Sequence, residues 1–263
     1  MLGGINYVSS QISSIYNSTS QQLASSLQRI ASGKKFQNAS DDLLSFIRAE
    51  DIGINISGYE RVKQDLTSFK TFSSAAVQAG SSLYENLTEM KELATQWAGT
   101  TDTDKRAEYK SDFDALKKQV TSILDNTYID GKKVTAAAAI TSASLDPDGT
   151  GKLQMTFSAI ANSANVTALD ITAGGAAASV QTEIDSTLTY LSEAKSFDNI
   201  ASQQMNLTDT IITSKKSVQS LITDVDDAEE MAKATDLQVR QQAAIAMLAQ
   251  ANMSRQALVK LYM

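Results

Sequence analysis

The chain has 263 residues, of which 42% are hydrophobic and 20% charged, enough to form a folded core. It contains no Cys and no His, which excludes disulfides, thiolate nucleophiles, zinc sites of the usual kind and general-base catalysis by histidine. A net charge of −7 argues against nucleic acid as a partner. The sequence has no apolar run of about 18 residues that could span a membrane. Residues 1–14 also lack the basic and apolar regions of a cleavable signal peptide.

The first predicted element is a helix with one apolar stripe. Its residues are spaced by threes and fours, which is the period of one helix face. The stripe consists of Ile5, Val8, Ile12, Ile15, Thr19, Leu23, Leu27 and Ile30.

A short joint follows this helix in the segment "ASGKKFQNASDD", residues 31–42. Ser32 and Gly33 predict the helix end, because glycine enters the left-handed conformation of a helix C-terminus at little cost. Ser40 predicts the N-cap of the next helix, with two acids beside its positive end. The residues that define the joint are Gly33, Lys34, Lys35, Ser40, Asp41 and Asp42.

The next helix has a heptad pattern sustained over many turns, which is typical of a coiled-coil seam. One heptad position holds Ile52, Tyr59, Leu66, Ser73, Gly80, Leu87 and Ala94; the other holds Asn55, Val62, Phe69, Ala76, Leu83, Met90 and Trp97. At about 1.5 Å per residue, a helix over residues 42–98 would run roughly 85 Å, which predicts an elongated rod.

The remaining elements are a third helix with Thr103 as its cap, a turn at Asp130 and Gly131, and a small insert. The insert, residues 132–177, is rich in small and hydroxyl residues, and "GKLQMTFSAI" is its best strand candidate. Helical spacing returns at Val180, and the last helix has its own stripe. That stripe consists of Leu237, Ala244, Leu248, Ala251, Leu258 and Tyr262.

These elements predict a mainly α fold, an elongated antiparallel helical rod with paired terminal helices and a small β-rich hairpin insert. We expect four parts: residues 1–33 with 224–263 as a terminal-helix layer, 34–42 as a spoke loop, 43–131 with 178–223 as the rod, and 132–177 as an outer insert.

The two ends of the chain carry almost no charge. Residues 1–33 contain only Arg29, and residues 237–263 contain Arg240, Arg255 and Lys260 without an acid. Such helices could lie on a membrane, but the usual Lys/Arg-rich polar face is missing. They could form an internal core, or pack between copies of the chain, where uncharged faces avoid burying an unpaired charge. We favour assembly between copies, and expect the ends to become helical only in the polymer.

The acidic clusters have simpler explanations than catalysis. "ASDD" and "TDVDDAEE" are typical of helix starts and solvated faces. "DPDGTG" lacks the oxygen spacing of a Ca²⁺ loop and indicates a turn. We expect no catalytic residues, no metal site and no cofactor.

Four segments resemble bacterial flagellins. "LQRIASGKKFQNASDDLLSFIRAEDI" resembles the N-terminal signature of that family, and "NLTEMKELATQWAGTTDTDKR" its turn between two rod helices. "NTYIDGKKV" and "AMLAQANMSRQALVKL" resemble two further family segments. The resemblance covers residues 5–135 and 180–263. Leu43 and Leu44 stand where the family usually has small residues, and the end Tyr262–Met263 is also unusual.

The resemblance implies a structural subunit that polymerises with copies of itself into the extracellular flagellar filament. It also implies type III export through the flagellar apparatus, an export chaperone and a filament cap, with the joint as the spoke between two layers. A hook-filament junction protein shares both end signatures and remains an alternative. A secreted adhesin or immune-active binding module is a second alternative, and an enzyme is the weakest.

The resemblance also raises two surface hypotheses. Flagellin-like proteins often carry O-linked sugars on an outer insert, where this chain has Ser142, Ser144, Thr150, Ser158, Ser163 and Thr167; plain surface hydroxyls are the other interpretation. In flagellins detected by an innate immune receptor, a contacting Arg stands where this chain has Glu89. The other residues of that receptor-like segment are Leu87, Met90, Lys91, Glu92 and Leu93, of which Leu87 and Met90 also belong to the heptad pattern.

Overall fold

The computed structural model describes residues 2–136, 139–158 and 160–262. Within these residues the chain is mainly α-helical, which confirms the predicted fold class. The helices are α1 (Leu2–Ser32), α2 (Leu43–Gly99), α3 (Thr103–Asn126), α4 (Ser163–Ala168), α5 (Ala176–Thr223) and α6 (Asp227–Tyr262). The strands are β1 (Tyr128–Ile129), β2 (Lys132–Lys133), β3 (Ala139–Ser144) and β4 (Lys152–Thr156).

The chain divides into two compact units. The terminal unit comprises Met1–Gly53 and Lys215–Met263, and the central unit comprises Ile54–Ser214. The terminal unit therefore contains α1, α6, the joint between α1 and α2, and the adjoining ends of α2 and α5.

In the terminal unit, α1 and α6 are both helical in the single chain and pack on each other. The structure shows the helical state of both ends, and their mobility in the free subunit stays a prediction. Among the side chains that the structure describes, Thr19 and Ser26 are buried on α1, and Ala234, Leu237 and Ala244 on α6. Mostly small side chains let the two helices approach, and each helix supplies the packing that an isolated helix lacks.

The core of the central unit follows the predicted heptads of α2. Every heptad residue from Val62 to Ala94 is buried. Asn55 departs from the pattern, since its side chain is exposed and Ile56 is buried instead. A Cβ placed on Gly80 would lie 3.2 Å from both Leu191 Cδ1 and Tyr190 Cδ1, so glycine is needed for this close approach to α5.

Two apolar clusters fill the central unit. One joins α2 and α3 to α4 and the start of α5 around Leu87, Phe113 and Val180. The other joins α2 and α5 to the β3–β4 hairpin around Phe69, Met155 and other residues. The small insert thus covers apolar faces of the long helices.

The sequence predicts a turn at Asp130 and Gly131 and a hairpin insert; the described residues form two hairpins, of which β3–β4 lies wholly within the insert. β1 and β2 pair antiparallel around Asp130 and Gly131, whose φ values of 48° and 70° suit a tight hairpin turn. β3 and β4 pair antiparallel, with Ser144 opposite Lys152. The short helix α4, capped by the side chain of Asn162, is not predicted, because six residues are too few for a periodic signal.

A buried hydrogen bond fixes the segment after β2 to α5. The hydroxyl of Tyr190 donates to the carbonyl oxygen of Val134 at 3.1 Å, and both residues are fully buried. Burial raises the pKa of the Tyr190 hydroxyl, which keeps the proton that this bond requires. The ring of Tyr190 also lies 4.4 Å from that of Phe157, at the end of β4.

Two predicted helix caps are wrong by one or two residues. α2 begins at Leu43, and the carboxylate of Asp42, not the hydroxyl of Ser40, accepts from the backbone N–H of Ser45 at 3.1 Å. α3 is capped by Asp102 instead of Thr103. A carboxylate satisfies free N–H groups and also interacts favourably with the positive helix end.

The only proline of the chain packs against a glycine. Pro147 lies in the loop between β3 and β4, next to Gly58 of α2. A Cβ placed on Gly58 would be only 2.6 Å from the Cβ of Pro147. That distance is shorter than any ordinary contact between carbon atoms, so the loop can rest on the helix only at a glycine.

Replacing Gly58 by alanine should therefore lower stability, although alanine is the better helix former by about 1 kcal/mol. Overlap at a packed contact costs about 1–3 kcal/mol, so we expect a net loss in Gly58→Ala. Gly99→Ala is the matched control, because nothing lies within 4 Å of a Cβ at that position. Urea unfolding measures both variants, and equal stability of the two would contradict the proposed contact.

Candidate assembly surface

The joint after α1 is held by a short antiparallel backbone ladder to the segment between α5 and α6. Lys34 and Asp224 form an antiparallel bridge. On either side of it, the N–H of Lys35 donates to Thr223 O at 2.7 Å and that of Val225 donates to Gly33 O at 3.0 Å. The ladder ties the end of α1 to the start of α6.

Side chains reinforce this ladder around the carboxylate of Asp224. Lys34 Nζ lies 2.6 Å from Asp224 Oδ1, and the hydroxyls of Thr223 and Ser220 also donate to this carboxylate. The hydrogen bond from Lys34, followed by those from Ser220 and Thr223, holds the pKa of Asp224 well below its usual range. Lys35 Nζ donates to Leu221 O at 3.0 Å. Both lysines predicted in the joint thus contact the segment at the end of α5.

The rest of the joint is ordered by its own residues. Gly33 has φ 66°, the left-handed conformation expected at the end of α1. Asp41 Oδ2 accepts from the backbone N–H groups of Gln37 at 3.0 Å and Asn38 at 3.1 Å, and these bonds lower the pKa of Asp41. The pKa of Asp42 is lowered mainly by the hydrogen bond from the Ser45 side chain. Ser40 is exposed.

A cluster of polar side chains around Glu230 connects the paired helices near the joint. The buried carboxylate of Glu230, on α6, accepts a hydrogen bond from the hydroxyl of Ser26 on α1. Arg29 Nη1 and Lys233 Nζ lie 3.9 Å and 3.8 Å from the same carboxylate oxygen. The charge of Glu230 is therefore compensated where the two helices meet.

The predicted subunit-packing residues occupy different environments. Leu237 and Ala244 follow Glu230 on one face of α6 and are buried inside the chain, so they are not free to contact another copy. Ile15 and Leu27 are exposed. The residues Ile12, Leu23, Ile30, Leu248 and Ala251 are partly buried. The side chains of Ile5, Val8, Leu258 and Tyr262, as well as Met263, lie outside the described part of the structure.

The terminal unit exposes further apolar side chains that the stripes do not include. On α6, Val239 is 60% exposed and Ile245 is 51% exposed. Besides Ile15 and Leu27 of the first stripe, the large apolar side chains exposed among the described residues of this unit are Tyr7, Leu43, Leu44, Ile47, Val218, Leu221, Met231, Val239, Ile245, Met247 and Met253. These residues are recognisably apolar in the sequence. The periodic stripe, however, identifies only one face of each helix and so omits apolar residues on the other faces.

The receptor-like segment lies on α2 in the central unit. Leu87 and Met90 are fully buried in the core, whereas Glu89 and Glu92 are exposed. Leu93 and Lys91 are partly buried, and Lys91 Nζ donates to Gln181 Oε1 on α5 at 2.6 Å. The surface of this segment is therefore acidic at Glu89.

The candidate hydroxyls of the insert differ in their contacts. Ser142, on β3, is exposed, and Ser144 is partly buried. The others donate hydrogen bonds within the chain: Thr150 to Asp146, Ser158 to Glu193, Ser163 to Asp125, and Thr167 to the carbonyl oxygen of Ser163.

Within residues 2–136, 139–158 and 160–262, acidic side chains do not gather into a group of three that could hold a metal ion. None of the helices over these residues has both the length and the apolar character needed to cross a membrane. The conspicuous features of the terminal unit are thus the ladder at the joint and the exposed apolar surface.

The depressed pKa of Asp224 makes the stability of the joint dependent on pH. A carboxylate with a lowered pKa in the folded state stabilises that state fully above its unfolded pKa, about 3.9, and progressively less as the pH falls below it. Asp224→Asn should lower the free energy of unfolding near neutral pH, and its difference from the unchanged protein should shrink in acid. Urea titrations over pH measure this difference.

Asp227→Asn is the control, because Asp227 is an exposed acid of the first turn of α6. It should have the smaller effect near neutral pH. A difference for Asp224→Asn that stays constant from neutral to acidic pH would contradict the role assigned to its charge.

Comparison with known proteins agrees with this architecture. Residues 5–140 match the bacterial flagellin N-terminal helical region, and residues 175–262 match the bacterial flagellin C-terminal helical region. Flagellin FljM of Caulobacter vibrioides is 28% identical over 94% of this chain and 93% of its own length. A flagellin of Halalkalibacterium halodurans is 27% identical over 89% of this chain and 90% of its own length.

One solved structure shows the fold. A protein from Vibrio parahaemolyticus, assigned to the flagellar hook-associated proteins, superimposes with a TM-score of 0.50 at 14% identity and covers 70% of this chain and 97% of that chain. Together, the two matched regions extend over most of the sequence, and the relatives are matched along nearly their whole length. The chain belongs to the bacterial flagellin family.

Proposed function

We propose that this flagellin builds its polymer by burying the outward apolar faces of α1 and α6 between copies of the chain. As a member of its family, it is a structural subunit of the bacterial flagellar filament. The observation that carries the proposed contact is the set of exposed apolar side chains on the terminal unit, such as Val239 and Ile245.

The physical argument is the cost of leaving this surface in water. Burying apolar surface contributes about 25 cal/mol per Å², and large exposed apolar patches mark interaction sites. From residue 237 onward α6 carries only three charged residues, all basic, so few charges would lose water on contact. Contacts between unlike surfaces of identical subunits generate helical filaments when the rotation between neighbours does not close into a ring.

The ladder at the joint supports a layered arrangement. In this proposal residues 1–33 and 224–263 form the inner layer, 34–42 the spoke, 43–131 with 178–223 the surrounding helical layer, and 132–177 the outer insert. Because the ladder ties both chain ends to one place, the inner layer can be assembled from both ends of each subunit.

The proposal extends to how the chain reaches its site. We infer export through the flagellar type III apparatus with an export chaperone, and extracellular incorporation under a filament cap. What supports this inference is family membership. Electron microscopy of concentrated protein tests the assembly itself: long filaments support it, short homogeneous rings would favour a junction protein, and monomers that bind a surface would favour an adhesin.

We also propose sugar attachment on the insert. The hydrogen bonds of the six candidate hydroxyls reduce the number of available sites. The hydroxyl of Ser142 is exposed on β3, whereas those of Thr150, Ser158, Ser163 and Thr167 are engaged within the chain. Ser142 is therefore the preferred candidate, followed by Ser144. An intact mass equal to the sequence mass in filaments from the native source would reject modification.

A charge placed on the outward face of α6 should block assembly without unfolding the chain. Ile245 is half exposed in the single chain, so the carboxylate of Ile245→Glu stays hydrated in the free subunit. In the polymer the same carboxylate would be buried without a partner. The critical concentration for polymerisation should rise by about tenfold or more, which corresponds to about 1.4 kcal/mol. Sedimentation measures it, with circular dichroism as the check on folding.

Gln119→Glu is the matched control, because it adds the same charge at an exposed position of α3 in the central unit. This variant should polymerise like the unchanged protein. Unimpaired polymerisation of Ile245→Glu would show that the outward face of α6 stays in water.

The exposed carboxylate of Glu89 should weaken detection by the innate immune receptor. Replacing a receptor-contacting Arg by an acid loses a charge-assisted contact, at a cost of about 2–5 kcal/mol. We expect weak signalling by the monomer in reporter cells and a gain in Glu89→Arg, with polymerisation unchanged. Glu92→Arg, at another exposed acid of the same segment, controls for net charge. Strong signalling by the unchanged protein would refute the proposal.

A further inference from the structure

Methionine side chains form an unusual part of the exposed surface of α6. Met231, Met247 and Met253 are 59%, 56% and 57% exposed. In the central unit, by contrast, Met90 and Met155 are fully buried. These three thioethers are therefore far more accessible to solvent than those of Met90 and Met155.

The chain offers no thiol that would consume an oxidant first, because it has no Cys. A hydroperoxide oxidises a methionine thioether to the sulfoxide: the O–O bond breaks, one oxygen forms an S–O bond, and the other leaves as water from hydrogen peroxide or as an alcohol from an organic hydroperoxide. The sulfur loses two electrons and the peroxide gains them. The product is a polar, hydrogen-bonding group in place of a flexible apolar one.

We propose that Met231, Met247 and Met253 form an oxidation site that controls assembly, with hydroperoxides as its oxidants. Sulfoxides at these positions prevent a free subunit from entering the polymer while the subunit stays folded. The inference rests on the proposed burial of the outward face of α6 between copies.

The subunit stays folded because these three residues lie away from the contact with α1. Ala234, Leu237 and Ala244 are the buried apolar residues of α6. At about 100° per residue, Met231 and Met253 project to one side of that buried line, and Met247 projects to the other. Oxidation thus adds polar oxygen where the single chain already meets water.

The polymer is affected differently because burying a polar group without a hydrogen-bond partner is costly. A sulfoxide between two copies would meet apolar side chains such as Val239 and Ile245, which offer no donor to its oxygen. In a finished polymer the same thioethers are shielded, so the oxidant cannot reach them. Oxidation therefore stops elongation by free subunits but leaves existing polymer intact.

The experiment exposes purified subunits and preformed polymer to hydrogen peroxide, then measures sulfoxide at each methionine by peptide mass spectrometry. In free subunits we expect Met231, Met247 and Met253 to be oxidised much faster than Met90 and Met155. In the polymer, oxidation of Met231, Met247 and Met253 should be slower than in free subunits. The critical concentration of oxidised subunits should rise by about tenfold or more. The urea midpoint of the oxidised subunit should be unchanged, and treatment with methionine sulfoxide reductases should restore assembly.

The triple variant Met231→Leu, Met247→Leu and Met253→Leu should polymerise equally well before and after peroxide, because leucine keeps the apolar volume and cannot be oxidised. Met205→Leu, at a partly buried position of the central unit, is the control and should remain sensitive. Unimpaired polymerisation of fully oxidised subunits, or equal sensitivity of the triple variant, would overturn the proposal. Failure of the untreated protein to polymerise would instead overturn the proposed function and, with it, this inference.

Discussion

The antiparallel ladder between the joint and the segment that precedes α6 is the contact on which the terminal unit depends. The residues that it joins, around Gly33 and Val225, are almost the length of the chain apart. The charge pair of Lys34 and Asp224 adds little in water by itself, as exposed ion pairs do. Because this pair lies beside the backbone hydrogen bonds, it reinforces the alignment of the two chain segments and with it the orientation in which α1 meets α6.

That register determines what the terminal unit hides and what it exposes. The contact uses small side chains, such as Thr19 and Ala234, together with the compensated carboxylate of Glu230. Larger apolar residues, among them Val239 and Ile245, are left on the outside. An ordinary two-helix core buries more of its large residues than this contact does, where Leu237 is buried among smaller side chains. Large exposed apolar patches mark interaction sites, which supports the proposed contact between copies.

The central unit follows the ordinary rule. Its heptad residues are buried, and the hairpins of the insert cover faces of the long helices through residues such as Met155 and Tyr190. Two glycines allow close contacts with α2: Gly80 where α5 approaches it, and Gly58 where Pro147 packs on it. This unit has a core of its own, whereas the terminal unit has a narrow contact and a large exposed surface.

The sequence by itself determined the elements that depend on local, periodic signals. The heptads from Val62 to Ala94, the end of α1 at Gly33 and the tight turn at Asp130 were all predictable, since each rests on neighbouring residues. The family motifs, spread over both ends, determined the class of protein.

Only the tertiary structure decided which faces the terminal helices use. The sequence assigned Leu237 and Ala244 to contacts between copies, but they are buried within the chain, and the outward face holds other residues. Two faces of a helix can be equally uncharged, so periodicity cannot say which one meets the partner inside the chain. The ladder at Lys34 and Asp224, next to this helix contact, joins residues far apart in the sequence, which no local pattern records.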